Sequence, residues 1–177
     1  MGSFVSDIEL IRKRAREQIE QGPITDAYGA DRERVIAVLN EVLATEIVCV
    51  LRYKRHYFTA QGISAGPVAE EFGQHANEEQ QHADMAAHRI VQLGGEPDFS
   101  PEGLASRSHT EYDASPGLMD MVREDLVAER IAIASYQEIV RWLANDDPTS
   151  RRMIETILEQ EEEHADDLVN ILENMAG

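Results

Sequence analysis

Apolar residues recur every three or four positions through four long segments, at about 31–61, 67–93, 117–145 and 148–175, with a shorter one at about 6–21. Turn-forming runs separate them: Gly22-Pro23, Gly62 to Pro67, Gly94 to Pro116, and Asp146 to Pro148. Strand-forming alternation is scarce, so the pattern predicts an all-α protein. Pro67 and Pro148 fall in the first turn of their helices, where a missing N–H costs nothing. Asp31 is placed to cap the first long helix. The first and second long helices, and the third and fourth, are joined by short turns, as in helical hairpins. The second and third are joined by GGEPDFSPEGLASRSHTEYDASP, a crossover long enough to run the length of a bundle. Neither hairpin alone would bury its stripe, so one four-helix bundle is expected over 31–177, preceded by an N-terminal extension over 1–30.

The two hairpins read as copies of each other. A shift of 83 carries Glu41, Leu43, Glu46 and Tyr53 onto Glu124, Leu126, Glu129 and Tyr136. A shift of 82 carries Glu79, His82, Ala83 and Asp84 onto Glu161, His164, Ala165 and Asp166. Residues seven apart share a helix face. The rows are Leu39, Glu46 and Tyr53 beside Leu43, Val50 and Tyr57; Phe72, Glu79 and Ala86 beside His82 and Ala83; Val122, Glu129, Tyr136 and Leu143, flanked by Leu126, Ile133 and Val140; and Ile154, Glu161, Leu168 and Met175 beside Ile157, His164 and Ile171. Each long helix thus carries a carboxylate in the middle of its apolar stripe. The second and fourth add a histidine three residues later.

An unpaired buried carboxylate costs several kcal/mol. Four in one core require cations or protons, and two divalent ions balance four carboxylates. Glu-x-x-His suits such ions because positions i and i+3 share a face. A single Glu-x-x-His in an acidic helical chain is usually a solvated face. Here the element occurs twice at matched places in a repeat, with a partner glutamate in each facing apolar row. The expected metal ligands and catalytic residues are therefore Glu46, Glu79, His82, Glu129, Glu161 and His164.

The composition narrows the setting. In 177 residues, 42% hydrophobic and 28% charged are enough for one core and its cover. Sixteen Lys and Arg against thirty-four Asp and Glu leave a net charge of −18. Such a surface attracts cations and repels phosphate backbones, so nucleic acid is not an expected partner. Residues 1–20 are neutral, with Arg12, Lys13, Arg14 and Arg16 read as a solvated helix face and a DNA tether as the minor alternative. The lone Cys49 excludes a disulfide framework and a Cys-based zinc site. No apolar run is long enough to span a bilayer, so no membrane role is expected. The charged start does not resemble an export signal, so a cytoplasmic location is expected.

These residues make the chain resemble the ferritin-like superfamily, above all bacterioferritin and the Dps-like miniferritins with a bacterioferritin-type site. The likeness runs from about residue 35 to 175 and rests on Glu46, Glu79-Gln80-Gln81-His82-Ala83-Asp84, Glu129 and Glu161-Glu162-Glu163-His164-Ala165-Asp166. It implies a ferritin-like four-helix bundle with a long B–C crossover and an extra N-terminal helix. It also implies two iron ions per subunit, with manganese or zinc as options for the same donors. Glu79 and Glu161 would share the metals, Glu46 with His82 would hold one, and Glu129 with His164 the other. Tyr53 matches a tyrosine beside the bacterioferritin site. The implied activity is a ferroxidase, an oxidoreductase that oxidises Fe(II) with O2 or H2O2 and stores the ferric product in a hollow homo-oligomeric shell.

Departures from the family pattern refine this. Gln80 stands where bacterioferritins carry their haem-ligating methionine, so no haem is expected there. Thirteen residues follow His164, without the fifth helix of 24-subunit ferritins; with the long crossover this favours a dodecamer. Ala132 stands where rubrerythrins carry a second glutamate. A non-storing di-metal oxidase or peroxidase of rubrerythrin type is the alternative, and a metal-free helical interaction module is a third reading. Glu78, Asp84, Gln160 and Asp166 are candidates to orient the imidazoles. Cys49 reads as a small core filler, Trp142 as a core or interface residue, and Tyr136, the repeat partner of Tyr53, as a redox or hydrogen-bonding neighbour or a packed core residue. His75 reads as a packed or exposed histidine, with a transit or third-site ligand as the other option. His56, His88 and His109 have no evident partners.

Overall fold

The computed structural model describes residues 7–63 and 65–176. They form α1 (Ile8–Glu17), a 3-10 turn (Ile19–Gln21), α2 (Arg32–Thr59), α3 (Ala65–Gln92), a one-turn α4 (Leu104–Arg107), α5 (Leu118–Leu143) and α6 (Pro148–Ala176). No strand occurs among the described residues. Asp31 caps α2, its side chain accepting from the Arg34 N–H at 3.2 Å. Helix α3 begins two residues before Pro67, which keeps the proline within the first turn. The expected single leading helix over 6–21 is corrected. Helix α1 stops at Glu17, the chain leaves helical geometry at Gln18, and a separate 3-10 turn ends at Gly22 with φ +64°. No residue of α1 is buried, so no packed face carries the helix onward. Residues 1–6 of the expected extension lie outside the described residues.

Helix α2 packs along α3, and α5 along α6; α3 also meets α6, and α2 meets α5, which closes the bundle. Two apolar plugs fill its interior. One holds Leu39, Leu43, Ile90, Leu143, Ile154 and Ile157, and the other Tyr53, Phe72, Met121, Val122 and Leu168. Burying such a side chain contributes about 1.5–3 kcal/mol. The six expected ligands fall between the two plugs along each long helix. In α5 the flanking row differs from the expected one. Leu126, Ile133 and Val140 are only half-buried, while Met121, Asp125, Ala128, Ala132 and Ile139 face inward. The small Ala128 and Ala132 let the neighbouring helix approach on that side.

The crossover is pinned to α2. Arg52 donates to the Glu111 carbonyl at 2.6 Å, Arg55 to those of Ser115 and Ala114, and the Thr45 hydroxyl accepts from the His109 N–H at 2.9 Å. Arg52 also meets Asp125, which bonds to His56 Nδ1 at 2.8 Å, making a fully buried ionic cluster. At the opposite end, Arg89 donates to Asp147, which also accepts from Ser150 and the Tyr28 hydroxyl. That bond ties residues ahead of α2 to the α5–α6 turn.

Candidate metal centre

All six expected ligands are buried and converge at mid-height of the bundle. Helix α2 supplies Glu46, α3 supplies Glu79 and His82, α5 supplies Glu129, and α6 supplies Glu161 and His164. They form two groups of four, Glu46–Glu79–His82–Glu161 and Glu79–Glu129–Glu161–His164, so that Glu79 and Glu161 belong to both. His82 Nδ1 lies 3.3 Å from Glu46, 3.6 Å from Glu79 and 3.1 Å from Glu161. His164 Nδ1 lies 3.4 Å from Glu79, 3.9 Å from Glu129 and 3.3 Å from Glu161.

The outward groups are satisfied, and the inward ones are not. His82 Nε2 pairs with Gln160 Oε1 at 2.9 Å, and His164 Nε2 with Glu78 Oε2 at 2.8 Å. Gln160 and Glu78 are themselves repeat partners, 82 residues apart. Of the four candidates for orienting the imidazoles, these two reach them. Asp84 accepts instead from Gln80, and Asp166 from Asn170, both on the exposed face. The tyrosines cross the bundle: the Tyr53 hydroxyl donates to Glu129, and the Tyr136 hydroxyl to Glu46. Seven buried atoms of the six ligands have no hydrogen-bond partner: Glu46 Oε2, Glu79 Oε1, His82 Nδ1, Glu129 Oε2, both oxygens of Glu161, and His164 Nδ1. Orphaned polar atoms cost about 1–3 kcal/mol each. Their convergence fits a pair of divalent cations, for which carboxylate oxygen and imidazole nitrogen are suitable donors.

Protons do part of that work when no cation is bound. Burial, then the charge of Glu79, pushes the Glu46 carboxyl up to about 8. Burial, then Glu79 and Glu161, raises Glu129 well above the carboxylate range. For His82, burial favours the neutral ring, but the carboxylates of Glu161, Glu46 and Glu79 outweigh it and hold the imidazolium. The same balance, with Glu161 and Glu79 prevailing over burial, lifts His164 to about 12. Burial and the charge of Glu46 act to raise Glu161, but the imidazoliums of His164 and His82, 3.3 and 3.1 Å away, hold it below the ordinary range.

The remaining residues divide by contact. Cys49 is buried, with Sγ 3.5 Å from the Thr110 hydroxyl, and burial keeps its thiol protonated. Trp142 is on the surface rather than in the core, with the Arg34 guanidinium 5.4 Å from its ring centre. His75 is fully buried: its ring stacks on His164 with centroids 4.0 Å apart, and Nδ1 lies 3.3 Å from the Tyr53 hydroxyl. Burial, then the charge on His164, pushes His75 down to about 3, leaving the ring neutral. The buried His56–Asp125–Arg52 cluster was not foreseen. A break in the repeat would have flagged it, since Val42 and Ile139 stand where Asp125 and His56 have their counterparts.

A duplicated helical hairpin with buried carboxylates and histidines at mid-height defines a bundle built around a cation-compatible centre. Residues 36–177 match the family model described as Ferritin-like domain, and the chain belongs to that family. It is 28% identical over 134 residues to a bacterioferritin of Desulfovibrio desulfuricans, covering 75% of this chain and 71% of that one. It is 26% identical over 146 residues to the DNA protection during starvation protein of Pyrococcus furiosus, covering 80% and 78%. Among solved structures it resembles the bacterioferritin-related protein of Bacteroides fragilis, described as a dodecameric thioferritin. That match has a TM-score of 0.80 at 31% identity, over 84% of this chain and 89% of that one. Among the described residues, no helix is long and apolar enough to cross a membrane.

Proposed function

We propose that the chain is a di-iron ferroxidase whose subunits assemble into a hollow shell that stores ferric iron. The observation that carries this reading is the set of seven orphaned buried atoms gathered in two groups sharing Glu79 and Glu161. Glu46 with His82 would hold one ion and Glu129 with His164 the other, with Glu79 and Glu161 common to both. Two bound Fe(II) ions supply the two electrons that reduce O2 or H2O2. The chain supplies the rest. Gln160 and Glu78 fix the orientation of the imidazoles, and the tyrosine hydroxyls fix Glu129 and Glu46. The apolar plugs exclude water, and the displaced protons leave from Glu46, Glu129, His82 and His164. The acidic face of α6, with Glu159, Glu162, Glu163 and Asp166, offers an anionic surface on which ferric product can collect. A twelve-subunit shell is favoured by the likeness to the Bacteroides fragilis protein, itself described as dodecameric.

The test is Glu79→Gln with Glu161→Gln, which keeps side-chain shape while weakening both groups. Fast Fe(II) oxidation should be lost with helical content and subunit number unchanged. Oxidation at the wild-type rate in that variant would overturn the reading. Iron loading of the wild type, counted against subunit number from light scattering, separates a storing shell from a small di-metal oxidase. Loading that stops at about two or three ions per chain would favour the latter.

A further inference from the structure

We propose that Glu71, His75 and Asp167 form a further divalent-cation site on the solvent side of the buried pair, from which a cation is handed inward. His75 Nε2 is buried and has no hydrogen-bond partner. It points at Glu71 Oε1, 3.3 Å away, and at Asp167 Oδ2, 3.8 Å away. Exposure is graded across the three side chains: 51% for Asp167, 31% for Glu71 and 1% for His75. A hydrated ion meeting Asp167 can therefore shed water stepwise as it gains protein donors.

The donors continue inward without a gap. Glu71, His75 and Asp167 are close enough to share an ion; so are His75, Glu78 and His164; so are His164, Glu79, Glu129 and Glu161. Consecutive groups share one residue, first His75 and then His164. This ladder reaches the surface on one side of the bundle only. The repeat counterparts of Glu71, His75 and Asp167, by the shift of 82, are Met153, Ile157 and Met85. Those three pack in the apolar plug, with Ile157 fully buried. The bundle can thus fill this position with hydrocarbon, so packing does not require the polar trio. The inference is independent of the oxidative chemistry and rests on the ferroxidase reading only for where the ion goes next.

Equilibrium dialysis of the full chain against Co(II) under argon, with metal counted per chain, tests it. Wild type is expected to hold about three ions, Glu71→Gln with Asp167→Asn about two, and Glu79→Gln with Glu161→Gln about one. His75→Ile, which installs the residue found at the repeat counterpart, should lose the same ion without any change in net charge. That variant separates coordination from loose attraction to an acidic surface. A Co(II) count unchanged in both the Glu71→Gln/Asp167→Asn and His75→Ile variants would overturn the site while leaving the paired centre standing. A wild type that holds no Co(II) would overturn both.

Discussion

Loading the buried pair with a redox-inert ion should expel protons, in a number that follows from the charges at the centre. At pH 7 Glu46, pushed up to about 8 by burial and by Glu79, holds a proton, and so does Glu129, which burial, then Glu79 and Glu161, raises well above the carboxylate range. His82 and His164 are both held as imidazolium by surrounding carboxylates that prevail over burial. Four protons carry the same charge as two divalent ions. Oxygen and nitrogen ligate a metal only when bare, so two equivalents of Zn(II) should release about four protons per chain at pH 7. At pH 9 Glu46 has already ionised, and fewer protons should be released than at pH 7. His75, neutral because burial and His164 push it down to about 3, adds nothing. Zn(II) avoids the protons that ferric hydrolysis would contribute. The assay is an indicator dye in weakly buffered, metal-free protein, or calorimetry in two buffers of different ionisation enthalpy. Release below about one proton per chain at pH 7, with Zn(II) fully bound, would refute the idea that protons stand in for cations here.

The same groups set how metal-free stability responds to pH. Their folded pKa values lie above their unfolded ones, so their contribution is present at low pH and is lost as pH rises. Between about 6.5 and 8 each can remove up to ~1.4 kcal/mol per pH unit. The midpoint of thermal unfolding of metal-free protein should therefore fall from pH 6.5 to pH 8, and excess Zn(II) should reverse the trend. A rise in the metal-free midpoint over that range would count against the assignment. Tyr53→Phe and Tyr136→Phe each remove a hydroxyl that donates to a ligand carboxylate. Each should weaken Zn(II) binding about tenfold, read by chelator competition, and unchanged affinity in both would mean the hydroxyls do not orient the carboxylates.

The bundle and the inward placing of Glu46, Glu79, His82, Glu129, Glu161 and His164 were legible because the signal was local and doubled. A carboxylate on an apolar heptad row is a contradiction that one helix states alone, and a matched copy 82 or 83 residues later removes chance as its cause. What stayed hidden depended on contacts between helices. The mismatch of Asp125 with Val42 in the repeat marks the position but does not say that Asp125 turns inward while Leu126 turns half out; that follows from how closely Ala128 and Ala132 let a neighbour approach, and from Arg52 and His56 waiting on α2. The end of α1 at Glu17 was equally invisible, because its amphipathic pattern has no buried face to satisfy.

The repeat also explains why the centre is nearly symmetric and where it is not. Duplication makes each hairpin orient the other: Tyr53 reaches Glu129 and Tyr136 reaches Glu46, while Glu78 reaches His164 and Gln160 reaches His82. In that last pair one imidazole leans on a carboxylate and the other on a neutral amide. A carboxylate partner makes an imidazole the stronger donor, so a cation held by His164 would sit in the more electron-rich half. It is also the half against which His75 stacks. Both departures from symmetry fall on one side, where Glu71 and Asp167 open toward solvent. Packing constrains both halves alike and gives no reason for such a coincidence, whereas a centre filled from one direction does.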